Sequence, residues 1–155
     1  MSKLCTTTIS LLLLASSALA AEHTQAEAEK AVTQIVENYI NLYNAKNARG
    51  IAELFANDGV EVPLARIVTG RDNIEKWFQS LFSHGGGTDL RYDIKQVQPI
   101  GDYVLAVGLF TVKEPPRDGG EVREIHGSFV IVYEWDGDAL KFRVRSYNIA
   151  PGAQP

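Results

Sequence analysis

Cysteine is almost absent. The single Cys5 sits near the start of the 155-residue chain, so no disulfide can form within it and no cysteine pair can hold a metal. Histidine is nearly as scarce. His23, His84 and His126 are the only three, too dispersed for a His/Cys zinc set, and no cofactor is expected. The chain has no G-x-S-x-G, no phosphate loop and no dinucleotide fingerprint. Positive charge is not in excess either: 15 Lys and Arg face 19 Asp and Glu. A formal net charge of -4 argues against nucleic acid or an anionic membrane as a partner. Internal repeats and low-complexity stretches are missing from the main body of the chain.

With 45% hydrophobic and 22% charged residues, the composition fits one globular domain with a sizeable core. The first twenty residues differ from the rest. One Lys (Lys3) precedes an apolar run from Ile9 to Leu19, which closes on Ala18-Leu19-Ala20, the small-x-small pattern of a signal-peptidase site. The run is shorter than the roughly 20 residues of a membrane span. Residues 1–20 are therefore read as a signal peptide cleaved after Ala20. Residues 21–155 form the mature domain, secreted or periplasmic, with no membrane attachment. Cys5 leaves with the signal, and it lies before the apolar run, where a lipoprotein attachment cysteine would not be.

Thr24-Gln25-Ala26-Glu27 has the form of a capping box. After it Ala28, Ala31, Val32, Ile35, Val36, Tyr39, Ile40 and Tyr43 recur at steps of three and four, which predicts an amphipathic helix. A short second helix covers 51–55, and Asn57-Asp58-Gly59 reads as a turn. Val60, Val62 and Leu64 then alternate with Glu61 and Pro63 as a half-buried strand. Pro63 lacks an amide donor, which suits a sheet edge. Gly70-Arg71-Asp72 opens a third helix with Ile74, Trp77, Phe78, Leu81 and Phe82 on one face. From Asp89 onward the period becomes two, with Tyr103 to Val112 as a central strand. Asp136-Gly137 joins the last two strands in a hairpin. Helices followed by a run of strands predict an α+β domain.

The order of these pieces is distinctive. Two helices before FANDGVEVP, a third opened by TGRDNIEKWF, and long strands closed by an Asp-Gly turn resemble the nuclear transport factor 2-like superfamily. Within it the likeness is to SnoaL-like domains and ketosteroid isomerases, over about residues 31–149. The resemblance implies a cone: N-terminal helices packed on a curved antiparallel sheet. It also implies a test of isomerase chemistry, which uses a carboxylate base with a Tyr hydroxyl and a protonated Asp as oxyanion donors. The Tyr of that motif falls on Tyr39, within V-E-N-Y. The base, the Asp of a strand ending E-D-P, falls on Val62 of Glu61-Val62-Pro63. Counting back from Asp136-Gly137 puts the second Asp at Ile131. Two of three acidic or polar roles are lost, so ketosteroid isomerase activity is not expected. Glu61 replaces the base only if a bulge turns it inward, because neighbouring strand residues face opposite ways.

By the same resemblance the cone is lined by Val60, Val62, Leu64, Phe129, Ile131, Tyr133 and Val144. Tyr39, Ser146 and Asn148 are its polar points, and Trp77 and Phe78 form a wall. Arg143, Arg145 and Tyr147 fall on the outer face with Ser128, Val130 and Val132, where relatives commonly dimerise. Three functions follow as expectations. The first is a domain that binds a small hydrophobic molecule in its cone. The second is an enzyme of lyase, isomerase or hydrolase type using Tyr39 with His126 or Glu61. The third is a homodimeric interaction domain with a filled cone.

Overall fold

The computed structural model describes residues 23–64, 66–116 and 120–150. The signal peptide at 1–20, Cys5 and the tail at 151–155 lie outside the described residues. Helix α1 (Gln25–Asn44) starts at the capping box: the Glu27 amide donates to the Thr24 hydroxyl, and the Thr24 amide donates to Glu27 Oε2 at 2.8 Å. Its stripe from Ala28 to Tyr43 is buried. Helix α2 (Ala48–Glu53) is capped by Asn47, whose side chain accepts from the Gly50 amide. Helix α3 (Arg71–Ser83) follows Gly70 and buries Ile74 and Phe78. Among the described residues no helix is long and apolar enough to cross a membrane.

Strands β1 (Phe55–Pro63), β2 (Val68–Thr69), β3 (Thr88–Ile100), β4 (Tyr103–Glu114), β5 (Arg123–Asp136) and β6 (Ala139–Ile149) form one sheet in the order β2-β1-β6-β5-β4-β3. The α+β cone is the one the resemblance implies, with one amendment. The β1–β6 pair is parallel, so the sheet is mixed rather than wholly antiparallel. Nor is β1 the edge. Two residues of β2 pair with Val60 and Glu61, leaving Pro63 just past the end of that short cover.

Two departures from the expected register decide what faces the interior. First, Asn57-Asp58-Gly59 does not precede the strand; it lies within β1, which starts at Phe55. Along β1 Phe55, Gly59, Glu61 and Pro63 are buried, while Val62 is only half-buried. Second, β6 carries one extra residue. Tyr133 pairs with Phe142 and Val132 with Val144, so Arg143 bulges out of the ladder. Phe142 points inward, and the phase then inverts, so that Arg145 points inward and Val144 does not.

Glycine shapes the concave face at two places. A Cβ on Gly108 would run into the Phe129 ring, and one on Gly127 into the Phe110 ring. Both rings lie across the strands where a neighbouring side chain would otherwise stand.

Candidate functional site in the cone

Tyr39 from α1, Glu61 from β1, Tyr92 from β3, and Arg145 and Tyr147 from β6 converge inside the cone. Glu61 is fully buried and Arg145 is 5% exposed. The two strands stand in parallel register with Glu61 opposite Arg145, which sets the side chains together. Arg145 Nη1 donates to Glu61 Oε1 in a short charge-assisted bond. Its Nε and Nη2 donate to the Tyr92 hydroxyl at 3.1 and 2.7 Å. The guanidinium carbon lies 4.7 Å from the Tyr39 ring centre and 5.2 Å from that of Tyr147, so the cation is held between two aromatic faces.

Among the described residues three buried oxygens have no hydrogen-bond partner: Glu61 Oε2, the Tyr39 hydroxyl and the Tyr133 hydroxyl. Such groups are uncommon in folded interiors. Burial pushes the Glu61 carboxyl up to about 7, against the pull of Arg145. Burial raises Tyr39 and Tyr133 well above the ordinary phenol value, so both hydroxyls keep their protons as donors. Burial also takes Tyr43 and Tyr147 to about 12. Burial opposes the charge on Arg145, but Glu61 and the surrounding tyrosines outweigh it. The cluster thus combines a carboxylate that exchanges its proton near neutrality, a fixed cation, and hydroxyl donors. That set can hold a carbonyl or hydroxyl oxygen and can move a proton.

The space beside it is small, about 80 Å³, and its lining includes Tyr39, Glu61, Arg145, Trp77, Phe78 and Tyr147. It is well below the several hundred cubic ångströms of a pocket for a drug-sized ligand.

The expected lining is only partly on this face. Tyr39, Phe129, Ile131 and Tyr133 are buried, and Trp77 and Phe78 bound the cavity. Val62 and Val144 lie on the opposite face with Ser146 and Asn148, because of the β1 phase and the Arg143 bulge. Val60 is half-buried, and Leu64 is exposed at the end of β1. Arg145 and Tyr147, expected outside, are inside. His126 stands on the outer face, 3.3 Å from Glu124 and away from the cone, so the pairing of Tyr39 with His126 is not assembled, whereas Tyr39 and Glu61 line the same cavity. Among the described residues no three His, Cys, Asp or Glu side chains converge as metal ligands.

The Glu61–Arg145 pair carried a signal that periodicity missed. Glu61 and Arg145 carry opposite charges, although Lys141 and Arg143 on β6 and Asp58 on β1 dilute that signal. A second and larger hollow, about 700 Å³, lies on the outer face among Arg91, Asp93, Leu109, His126, Ser128 and Asn148. It is open to solvent, and the buried polar groups are elsewhere.

A helix-backed conical sheet with a polar cluster at its floor defines the class. The sequence matches the SnoaL-like domain over residues 36–141, and the chain belongs to that family. Solved structures with the same fold include a ketosteroid isomerase-like protein from Erwinia carotovora atroseptica. It is 17% identical with a TM-score of 0.71, over 83% of this chain and all of that one. Aln2 from a Streptomyces species is 17% identical with a TM-score of 0.67, over 81% of this chain and 93% of its own. A putative calcium/calmodulin dependent protein kinase II association domain from Xanthomonas campestris is 17% identical with a TM-score of 0.64, over 78% and 86%. No curated protein matches the chain by sequence.

Proposed function

We propose that the mature chain, exported after cleavage behind Ala20, binds a small molecule end-on in its cone. A carbonyl or hydroxyl of the ligand sits against Tyr39 and Glu61, and its apolar remainder lies along Trp77 and Phe78. The observation that carries this reading is the pair of partnerless buried oxygens, Glu61 Oε2 and the Tyr39 hydroxyl, beside the same cavity. The volume of about 80 Å³ limits the inserted part to a few heavy atoms, which narrows the original expectation of a hydrophobic ligand to one with a polar end. A thermal-shift screen of small cyclic ketones, phenols and alcohols tests it. Some are expected to stabilise the wild type and to lose that effect on Tyr39→Phe. Removing a hydroxyl that has no protein partner should leave the variant's own stability unchanged or higher by about 1 kcal/mol. A screen with no stabilising compound, or equal shifts for wild type and variant, overturns the reading.

The raised Glu61 carboxyl favours a second reading, proton transfer to or from a bound ligand. A ketone ligand held in D2O would take up deuterium beside its carbonyl, and Glu61→Gln would stop that exchange.

The domain is also proposed to act as a homodimer through the outer face of its sheet. Leu109 and Val130 are each 49% exposed there. Val130→Lys is expected to convert a dimer to a monomer in light scattering; a monomeric wild type refutes the dimer.

A further inference from the structure

Arg145, Glu61 and Tyr39 each keep hydrogen-bonding capacity that the described residues do not use. A guanidinium has five N–H groups. Three are engaged, one on Glu61 Oε1 and two on the Tyr92 hydroxyl, which leaves one hydrogen on each Nη of Arg145. Glu61 Oε2 and the Tyr39 hydroxyl have no partner among the described residues. All three side chains line the same cavity of about 80 Å³. We infer that this cavity takes the carboxyl group of a small monocarboxylic acid, bound together with one proton that it shares with Glu61. The inference rests on the ligand-binding reading above and names the class of ligand.

A carboxyl group complements this set on both of its oxygens. One accepts from the Tyr39 hydroxyl and a spare Arg145 N–H, and the other shares a proton with Glu61 Oε2. A ketone has no donor for Glu61, and an alcohol offers one oxygen to three groups. A primary amide has both donor and acceptor but no charge to set against Arg145. Charge balance requires the proton. Glu61 and Arg145 already form an ion pair, so an anion entering alone would set a second negative charge beside Glu61 in a buried place. One proton between the two carboxyl groups removes that repulsion. Charge-assisted bonds to Arg145 then hold both of them. The short carbon stem lies along Trp77, Phe78 and Leu81 of α3.

The proton has a definite source. Burial pushes the Glu61 carboxyl up to about 7, whereas a free carboxylic acid ionises in the ordinary carboxylate range. Between those values the free protein already carries the proton and the free ligand is an anion, so binding exchanges none with solvent. Above about 7 the proton must come from water, and affinity falls tenfold per pH unit. The groups facing Glu61 are Arg145 and Tyr147 on β6, Tyr92 on β3, and Tyr39 and Tyr43 on α1. Burial holds all four phenols above their ordinary value, so they keep their protons through this range. Glu114 of β4 also lines the cavity, 3.7 Å from Arg123. Helix α3 and strand β5 present no titratable side chain to it.

The test is isothermal titration of the protein, produced from its full reading frame, with butyric acid, butyramide, butanol and butanone. Near pH 6 the acid is expected to bind one-to-one and about tenfold or more tighter than the other three. Its affinity should stay level to about pH 7 and then fall tenfold per unit. Binding heats measured above pH 7 in buffers of different ionisation enthalpy should show one proton taken up per acid bound. Glu61→Gln stands in for the protonated carboxyl, so it should keep acid binding and lose the pH dependence. Proton uptake by the wild type decides the point even if that variant does not fold. Glu114→Gln should keep the wild-type profile; a profile that flattens there assigns the proton to Glu114 and overturns the inference. An acid that binds no tighter than its amide or alcohol overturns the class and leaves the cone as a ligand site. Acid binding above pH 7 without proton uptake overturns the shared proton. If none of the four compounds binds, the ligand-binding reading falls with the inference.

Discussion

Glu61→Ala is expected to destabilise the protein by about 3–5 kcal/mol, measured by urea unfolding at a pH above 7, where the carboxylate is charged. The loss comes less from the missing bond than from what is left behind. Arg145 is 5% exposed, with Glu61 as its only carboxylate contact among the described residues, so the variant strands a buried cation. Two hydroxyl contacts at Tyr92 and two aromatic faces soften that penalty without neutralising the charge. The informative comparison is the double variant Glu61→Leu/Arg145→Met. Apolar residues of similar volume remove both charges together, and stability should return to within about 1 kcal/mol of wild type or exceed it. Two losses that simply add in the double variant would show that the charges do not depend on each other.

A second large effect concerns pH. Stability is expected to fall by up to about 3 kcal/mol as pH rises from about 4.5 to about 7, at about 1.4 kcal/mol per unit. The sign follows from burial. The folded chain holds the Glu61 proton more tightly than the unfolded chain does, so this contribution is complete below the ordinary glutamate value. It is lost as pH climbs through the folded value of about 7. Asp58 and Asp89 act in the other direction. Hydrogen bonds from Arg143 lower the first, and bonds from Lys113 and Arg91 lower the second. Their contributions fade only as pH drops below the ordinary aspartate range, outside this window. Urea midpoints across the series should therefore slope downward for wild type and flatten for Glu61→Gln. An equal slope in both proteins would assign the titration to another group.

The fold was legible in the sequence because its signals are redundant. The capping box, the stripe from Ala28 to Tyr43 and the Asp136-Gly137 turn each fix an element, and their order alone resembles one superfamily. The site was less legible, because one residue of register decides which side chains a strand sends inward. The alternation Val60-Val62-Leu64, together with the family's base falling on Val62, put Val62 inside and Glu61 out. The backbone takes Asn57-Asp58-Gly59 into β1 as an irregularity in its pairing with β6 between Phe55 and Val60, after which the strand resumes with Glu61 inward. The alternation of β6 was sound on each side of Arg143 and wrong across it. Nothing in the composition KFRVRSYN marks the bulge. Tyr39 was found because a helix stripe averages over many residues and survives local irregularity.

The Arg143 bulge has an evolutionary consequence. A strand with one residue too many carries two alternative interiors in a single stretch of code. Deleting that residue would leave Phe142 and Arg145 both inward, because it only restores one-to-one pairing with β5. Taking Arg143 into the ladder at unchanged length would instead turn Val144, Ser146 and Asn148 inside and expel Arg145. A cone with a charged floor and one with a neutral floor are then separated by whether one bulge forms, and a single-residue indel in the last strand changes the lining only where no bulge absorbs it.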